Sequence, residues 1–308
     1  MDEIELNGLK QSIEDKEIVS KKKLEAILNF FPAEQIDDNI ICYPLTIKNT
    51  GDSIRERDFL KLLLQHIVVF VIDYDEYRRK GMTENEFVQK ISDLFLTAKN
   101  KFQSDNEKTG EIGELILFML LETNNITQIV SKMRLKTNKN MPIHGPDAVH
   151  VEVREGNIIF YYGEAKMYQN FNAALDSSID SISKLDITKE DFEFDIIKKH
   201  IDQSKFGIFT SKILDYLDPY YKNKENMFKS YPTFIGYDWN VLKDLTQANG
   251  QNLTEFLNQE FTNSLTDKYA TIKTKIQDSK IKKNSFLFYL LPFKNVNEFR
   301  KMFLEILN

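Results

Sequence analysis

Cysteine is almost missing from this 308-residue chain, Cys42 being the single one. That excludes an internal disulfide and any multi-cysteine zinc site, and makes a reducing cytoplasm the expected compartment. Histidine is scarce as well: His66, His144, His150 and His200 show no paired metal-ligand spacing. Seven prolines and eleven glycines are spread too thinly to mark a linker. Positive charge is not in surplus either. The formal net charge of -6 gives no global pull toward a polyanion, so nucleic-acid contact must rest on a local basic patch. No long apolar run exists. The most apolar window, Leu60 to Ile72, is interrupted by Lys61, Gln65 and His66 and is too short to span a bilayer, so no membrane partner is expected. The opening MDEIELNGLKQSIEDK is acidic and amphipathic, without the basic-then-apolar order of a secretory signal. Nothing resembles a P-loop, so ATP hydrolysis is not expected of this chain.

What is present is a globular composition, with 42% hydrophobic residues, enough for a real core. Residues 1–100 read as a helix-rich section with a strand at Ile40–Ile47 and helices near Ile54–Leu64 and Thr83–Lys99. The β-branched stretch Ile67–Ile72 suits strand by propensity and helix by its neighbours. From residue 101 the pattern changes. Glu107–Glu122 is rich in helix formers and apolar on nearly every side beyond Glu114, as a buried helix would be. Ile126–Leu135 suits a strand, Phe171–Leu185 has helical spacing, Thr233–Tyr237 and Ser285–Phe293 read as strands, and a closing helix starts near Val296. The expected fold is an α/β or α+β core with a sheet wrapped by helices.

The segment IHGPDAVHVEVREGNIIFYYGEAKMY, Ile143–Tyr168, reads as a hairpin. Side chains alternate along a strand, so Glu164 and Lys166 share a face, and Asp147 shares one with Val149, Val151 and Val153. If Glu155-Gly156 is a two-residue turn, Arg154 pairs with Asn157, and that register sets Asp147 opposite Glu164. Like charges at about 5 Å repel and call for a cation between them. Hard oxygen ligands of this kind suit Mg²⁺ or Mn²⁺, and the Ala165 carbonyl runs past the same place. Lys166 adds a positive charge for the negative charge that develops in phosphodiester hydrolysis. The bland alternative is a solvated Glu-x-Lys on a strand, and a slip of one residue in the register would separate the carboxylates.

The order of a helix glutamate, then Pro146-Asp147, then Glu164-Ala165-Lys166, resembles the restriction-endonuclease-like PD-(D/E)xK superfamily. The longer run from GEIGELILFMLLE through SKMRLKTNKNMPIHGPDAVHV to YYGEAKMY is similar to the HamA family, nuclease components of Hachiman anti-phage defence, as is the closing SFLFYLLPF with its helix. The resemblance implies a central mixed sheet flanked by helices, with residues 101–308 as a Mg²⁺-dependent nuclease domain. It implies Asp147 and Glu164 as metal ligands, Lys166 as the catalytic lysine and Glu114 as the helix glutamate, with Glu111, one turn earlier, left open. It also implies a superfamily 2 helicase partner, HamB-like; residues 1–100, by their position and the absence of chemistry there, are the expected docking section for that partner. Lys132, Arg134, Lys136 and Lys139, a stretch without acidic residues, are the candidate grip on the DNA backbone, against a solvated basic edge. The alternative function is a non-catalytic DNA-binding or helicase-regulating subunit.

Overall fold

The computed structural model describes residues 19–72, 81–102, 110–131, 147–155, 157–188, 210–218, 227–248 and 252–307, with Met133, Lys198, Ile201, Phe206, Ile208 and Tyr220 as single positions. In chain order, α1 (Lys21–Glu25) leads into β1 (Leu28–Phe30), β2 (Glu34–Asp37) and β3 (Ile40–Ile47). The short β4 (Asn49–Thr50) and β5 (Ser53–Ile54) form a separate ribbon before α2 (Glu56–Val71) and α3 (Glu84–Phe102). Next come α4 (Glu111–Glu122), β6 (Thr127–Ser131), β7 (Ala148–Arg154), β8 (Asn157–Tyr168) and α5 (Phe171–Thr188). The remainder is α6 (Thr210–Leu217), β9 (Met227–Asp238), α7 (Leu253–Gln277), β10 (Ser285–Phe293) and α8 (Val296–Leu307).

Eight strands make one mixed sheet in the order β1, β3, β10, β9, β8, β7, β6, with β2 also paired to β3. The middle four, β3, β10, β9 and β8, run parallel, and β7 turns back antiparallel on β8. The sequence explains this placement. IICYPLTI and SFLFYLLPF are almost continuously apolar, the pattern of strands buried on both faces, and they lie side by side. Alternate residues of β10 then face two different cores. Leu287, Tyr289, Leu291 and Phe293 join a cluster with α2, α4 and α8, whereas Phe286, Phe288 and Leu290 join one with α5 and α7.

This is the expected α/β architecture, a central mixed sheet flanked by helices. The ambiguous Ile67–Ile72 stretch resolves as helix through Val71, because Ile67, Val68, Phe70 and Val71 all sit in the core, and packing overrides β propensity. Within the front section α2 and α3 supply the expected helical content, while β1, β2 and β3 join the same sheet as β8. Among the described residues no helix is long and apolar enough to cross a membrane. Cys42 is fully buried, and burial pushes its thiol up to about 12, so it holds a neutral, inert side chain.

Candidate active site

The hairpin forms with the register read from its turn. Pairs run without a slip from Arg154↔Asn157 to Ala148↔Gly163. Glu155 adopts φ +52°, the left-handed conformation that the first residue of a tight two-residue turn requires. Gly156, the second residue, lies outside the described residues, as do His144 and Pro146. One step beyond the last pair, the Asp147 N–H donates at 3.1 Å to the carbonyl of Gly163, the residue already paired with Ala148, so the expected register stops at Ala148↔Gly163 and does not extend to an Asp147–Glu164 pair. The Asp147 carboxylate turns to the strand itself, where Oδ2 accepts the Ala165 N–H at 2.9 Å.

β8 runs on for five residues after β7 ends, Glu164 to Tyr168, still paired to β9 on its other side. Backbone groups alternate along a strand, so Gly163, Ala165 and Met167 all point to the side from which β7 has departed. Side chains occupy that edge. Asp147 meets the Ala165 N–H, and Arg300 on α8 donates to the Met167 carbonyl.

Helix α4 closes the site from the other core. A methyl group built on Gly113 would stand 3.3 Å from both Ala165 Cβ and Met167 Cγ, so only glycine lets the helix lie this close to β8 without a shift. One turn away, a methyl on Gly110 would come 3.9 Å from Glu114 Oε1 and 4.0 Å from the Ala165 carbonyl oxygen. Both oxygens therefore border one small space at the start of α4. Glu111, the other helix carboxylate, is buried in the same first turn.

The charges converge. Asp147 and Glu164 are 7% and 3% exposed, and Lys166 forms an ion pair with Glu164 Oε1. Burial alone would depress the Lys166 ammonium, but the carboxylates of Glu164 and Asp147 outweigh it and hold its pKa above the usual lysine value. Among the described residues no group of three or more His, Cys, Asp or Glu side chains is arranged as a metal cage. The oxygen donors on offer are the buried carboxylates of Asp147 and Glu164, which both act on Lys166, and the Glu114 carboxylate and Ala165 carbonyl that border Gly110. All are hard oxygens, and Mg²⁺ is commonly held by one or two carboxylates while it keeps several waters. The residues present fit such an ion.

Other candidates resolve differently. Lys132, Arg134, Lys136 and Lys139 lie outside the described residues. His66 is a core residue whose Nδ1 meets the Leu62 carbonyl oxygen at 2.8 Å, and His150 is fully buried near Phe118. Tyr161 and Tyr162 pack into the two cores rather than offering faces to a ligand, and Tyr231, Phe234, Tyr237 and Trp239 are buried as well.

Residues 17–307 match the HamA family, nearly the whole chain. This chain belongs to the HamA family. Membership makes it a component of Hachiman defence. No curated protein matches it.

Two residues at the HamA site escaped the sequence reading. Arg300 is only 7% exposed, and its Nε has no hydrogen-bond partner. Burial lowers the pKa of its guanidinium. It lies 133 positions from the carbonyl it meets, and no local pattern could have pointed to it. Tyr168 was in view as the last letter of YYGEAKMY, but only the two-residue period carried two steps past Glu164 would have singled it out.

Proposed function

We propose that this HamA-family chain is a Mg²⁺- or Mn²⁺-dependent deoxyribonuclease, the effector of its defence system, controlled by a partner helicase. The observation that carries this reading is the meeting of Asp147, Glu164 and Lys166 where β8 outruns β7. Asp147, Glu164, the Ala165 carbonyl and Glu114 would hold the ion, which would supply an activated water and charge neutralisation at phosphate. The remaining work belongs to the chain. Asp147 accepts the Ala165 N–H and so anchors the Glu164–Ala165 peptide, the unit that precedes the Ala165 carbonyl. Lys166, a cation at neutral pH, offers its ammonium to the oxygen that gains charge as the phosphodiester bond breaks. Its pairing with Glu164 keeps it in place until substrate arrives.

The test follows plasmid and linear DNA incubated with this chain, the neighbouring helicase, Mg²⁺ and ATP. Wild type should degrade DNA, and Glu164→Gln and Lys166→Ala, folded and partner-bound, should lose at least about 100-fold in rate. Equal behaviour of all three would leave the non-catalytic, helicase-regulating subunit as the reading.

Helicase docking on residues 1–100 remains part of the proposal, and the fold dictates how to test it. Because β3 pairs with β10, deleting the front section would strip a central strand of its neighbour. Surface changes suit better: a hollow of about 400 Å³ lies beside β1, lined by Leu28, Phe30, Pro32 and Lys48 among others, with Phe30 half-exposed.

A further inference from the structure

We infer that Tyr168 is a stacking platform for an unpaired DNA base beside the phosphate held at Glu164 and Lys166, which gives the site a preference for single-stranded over duplex DNA. The inference rests on the reading of the site as DNA-cleaving, and names the form of DNA it takes.

Tyr168 shares a face of β8 with Glu164 and Lys166, and its Cα lies roughly 7 Å beyond that of Lys166 by the rise of two strand residues. It is 40% exposed, whereas Tyr161 and Tyr162 of the same strand are buried. Its exposure is not slack. The phenol oxygen hydrogen-bonds Ser177 Oγ on α5 at 3.1 Å, which fixes the ring's direction. The strand beneath it is pinned on both sides, through Tyr168↔Tyr237 pairing on β9 and the Arg300 contact to the preceding carbonyl.

Tyr237, the strand partner of Tyr168 on β9, belongs to a second aromatic pair with a cation. Phe171, the first residue of α5, packs edge-on against Tyr237 at 5.2 Å. Lys268 of α7 places its Nζ 5.9 Å from the Phe171 ring and 5.3 Å from that of Tyr237. The nearest turn of α5 carries Asp176, but Lys275 pairs with it, so the ledge is not acidic toward a phosphate. An exposed aromatic face set one short step from a phosphate-handling lysine is the chemistry that binds single-stranded nucleic acid, where every base offers a π-face. In a duplex those faces are consumed by stacking within the helix, and a base must be extruded before a side chain can meet it.

The probe is a 2-aminopurine-labelled single-stranded oligonucleotide and its duplex, with the full chain in Mg²⁺ and Glu164→Gln throughout to suppress cleavage. With Tyr168 intact, the label should be quenched on binding, and the single strand should bind more tightly. Adding Tyr168→Ala should weaken single-strand binding about tenfold while leaving duplex binding within twofold. Tyr168→Phe should keep both the quench and the affinity, since the ring remains and only the bond to Ser177 is lost. Equal losses on single strand and duplex, or a Phe variant as weak as the Ala variant, would overturn the inference, as would a parent protein that binds neither DNA. Plasmid degradation by wild type with its helicase is scored separately. If degradation occurs but Tyr168→Ala does not discriminate, the stacking role alone has failed.

Discussion

The two halves of β8 are built from one strand and behave as two materials. From Ile158 to Gly163 the strand has β7 on one edge and β9 on the other, and its side chains, apart from the glycine, are aliphatic or aromatic. From Glu164 to Tyr168 it keeps only β9, and the missing neighbour is replaced by the carboxylate of Asp147 and the guanidinium of Arg300. The first half is stabilised by a regular ladder and needs nothing special of its side chains beyond fit. The second half has an unpaired backbone edge inside a protein, and each buried N–H or C=O there must find a partner. The polar groups drawn to that edge are the ones that give the site its chemistry.

Changes at three residues would break or sharpen this contrast. Asp147 has two separable duties, and the largest effect comes from dividing them. Asp147→Asn keeps an oxygen for the Ala165 N–H but removes a charge, so cleavage should fall by about 100-fold or more with little change in melting temperature. Asp147→Ala should lose both, with a stability cost of about 1–3 kcal/mol for the orphaned amide. A stable, active Asn variant would show that the charge is dispensable. Next in size, Arg300→Met removes the donor to Met167, and the lost charged hydrogen bond is partly offset by relief of a buried cation. Stability should stay within about 2 kcal/mol of wild type. Amide exchange should quicken at residues 165–168 and not at 157–163, and equal change in both halves would contradict the division. The smallest effect belongs to the regular half. Tyr161 donates its hydroxyl to Glu152, and burial pushes its phenol pKa up, so it stays a neutral donor. Tyr161→Phe should cost about 1 kcal/mol and leave cleavage unchanged. A loss of activity there would mean that the paired half matters to chemistry.

How much of this was legible beforehand depended on whether the signal was local. Strands β3 and β10 were readable to the residue, because an unbroken apolar run flanked by polar residues has few other fates. The hairpin was readable because a Glu-Gly turn between alternating strands fixes the register, which holds as far as Ala148↔Gly163. β1 and β2 were not, since LNF and EQID are too short to show a period and exist by pairing with β3. The Ile67–Ile72 stretch needed its tertiary neighbours to decide between two states. At the site, Asp147, Glu164 and Lys166 could be placed because they ride on one hairpin. Glu114 and Glu111 could not be separated, because helix spacing does not say how a helix is set down on a sheet. The close approach at Gly113 sets how near that helix comes to β8, and it depends on Ala165, far away in sequence, while both glutamates stand in the first turn of the helix.

The order of strands across the sheet also has a consequence for the newborn chain. β10 lies between β3 and β9, although it is the last of the sheet's described strands to be synthesised. A ribosome that has already delivered Asp147, Glu164 and Lys166 has therefore produced a sheet with a gap at its centre, and the contacts that close it are among the most distant in sequence. α8, which brings Arg300 to the edge of β8, arrives later still. Under the proposed reading as a nuclease, the reactive groups come early and their scaffold late, so translation itself would delay the moment at which the chain can cut.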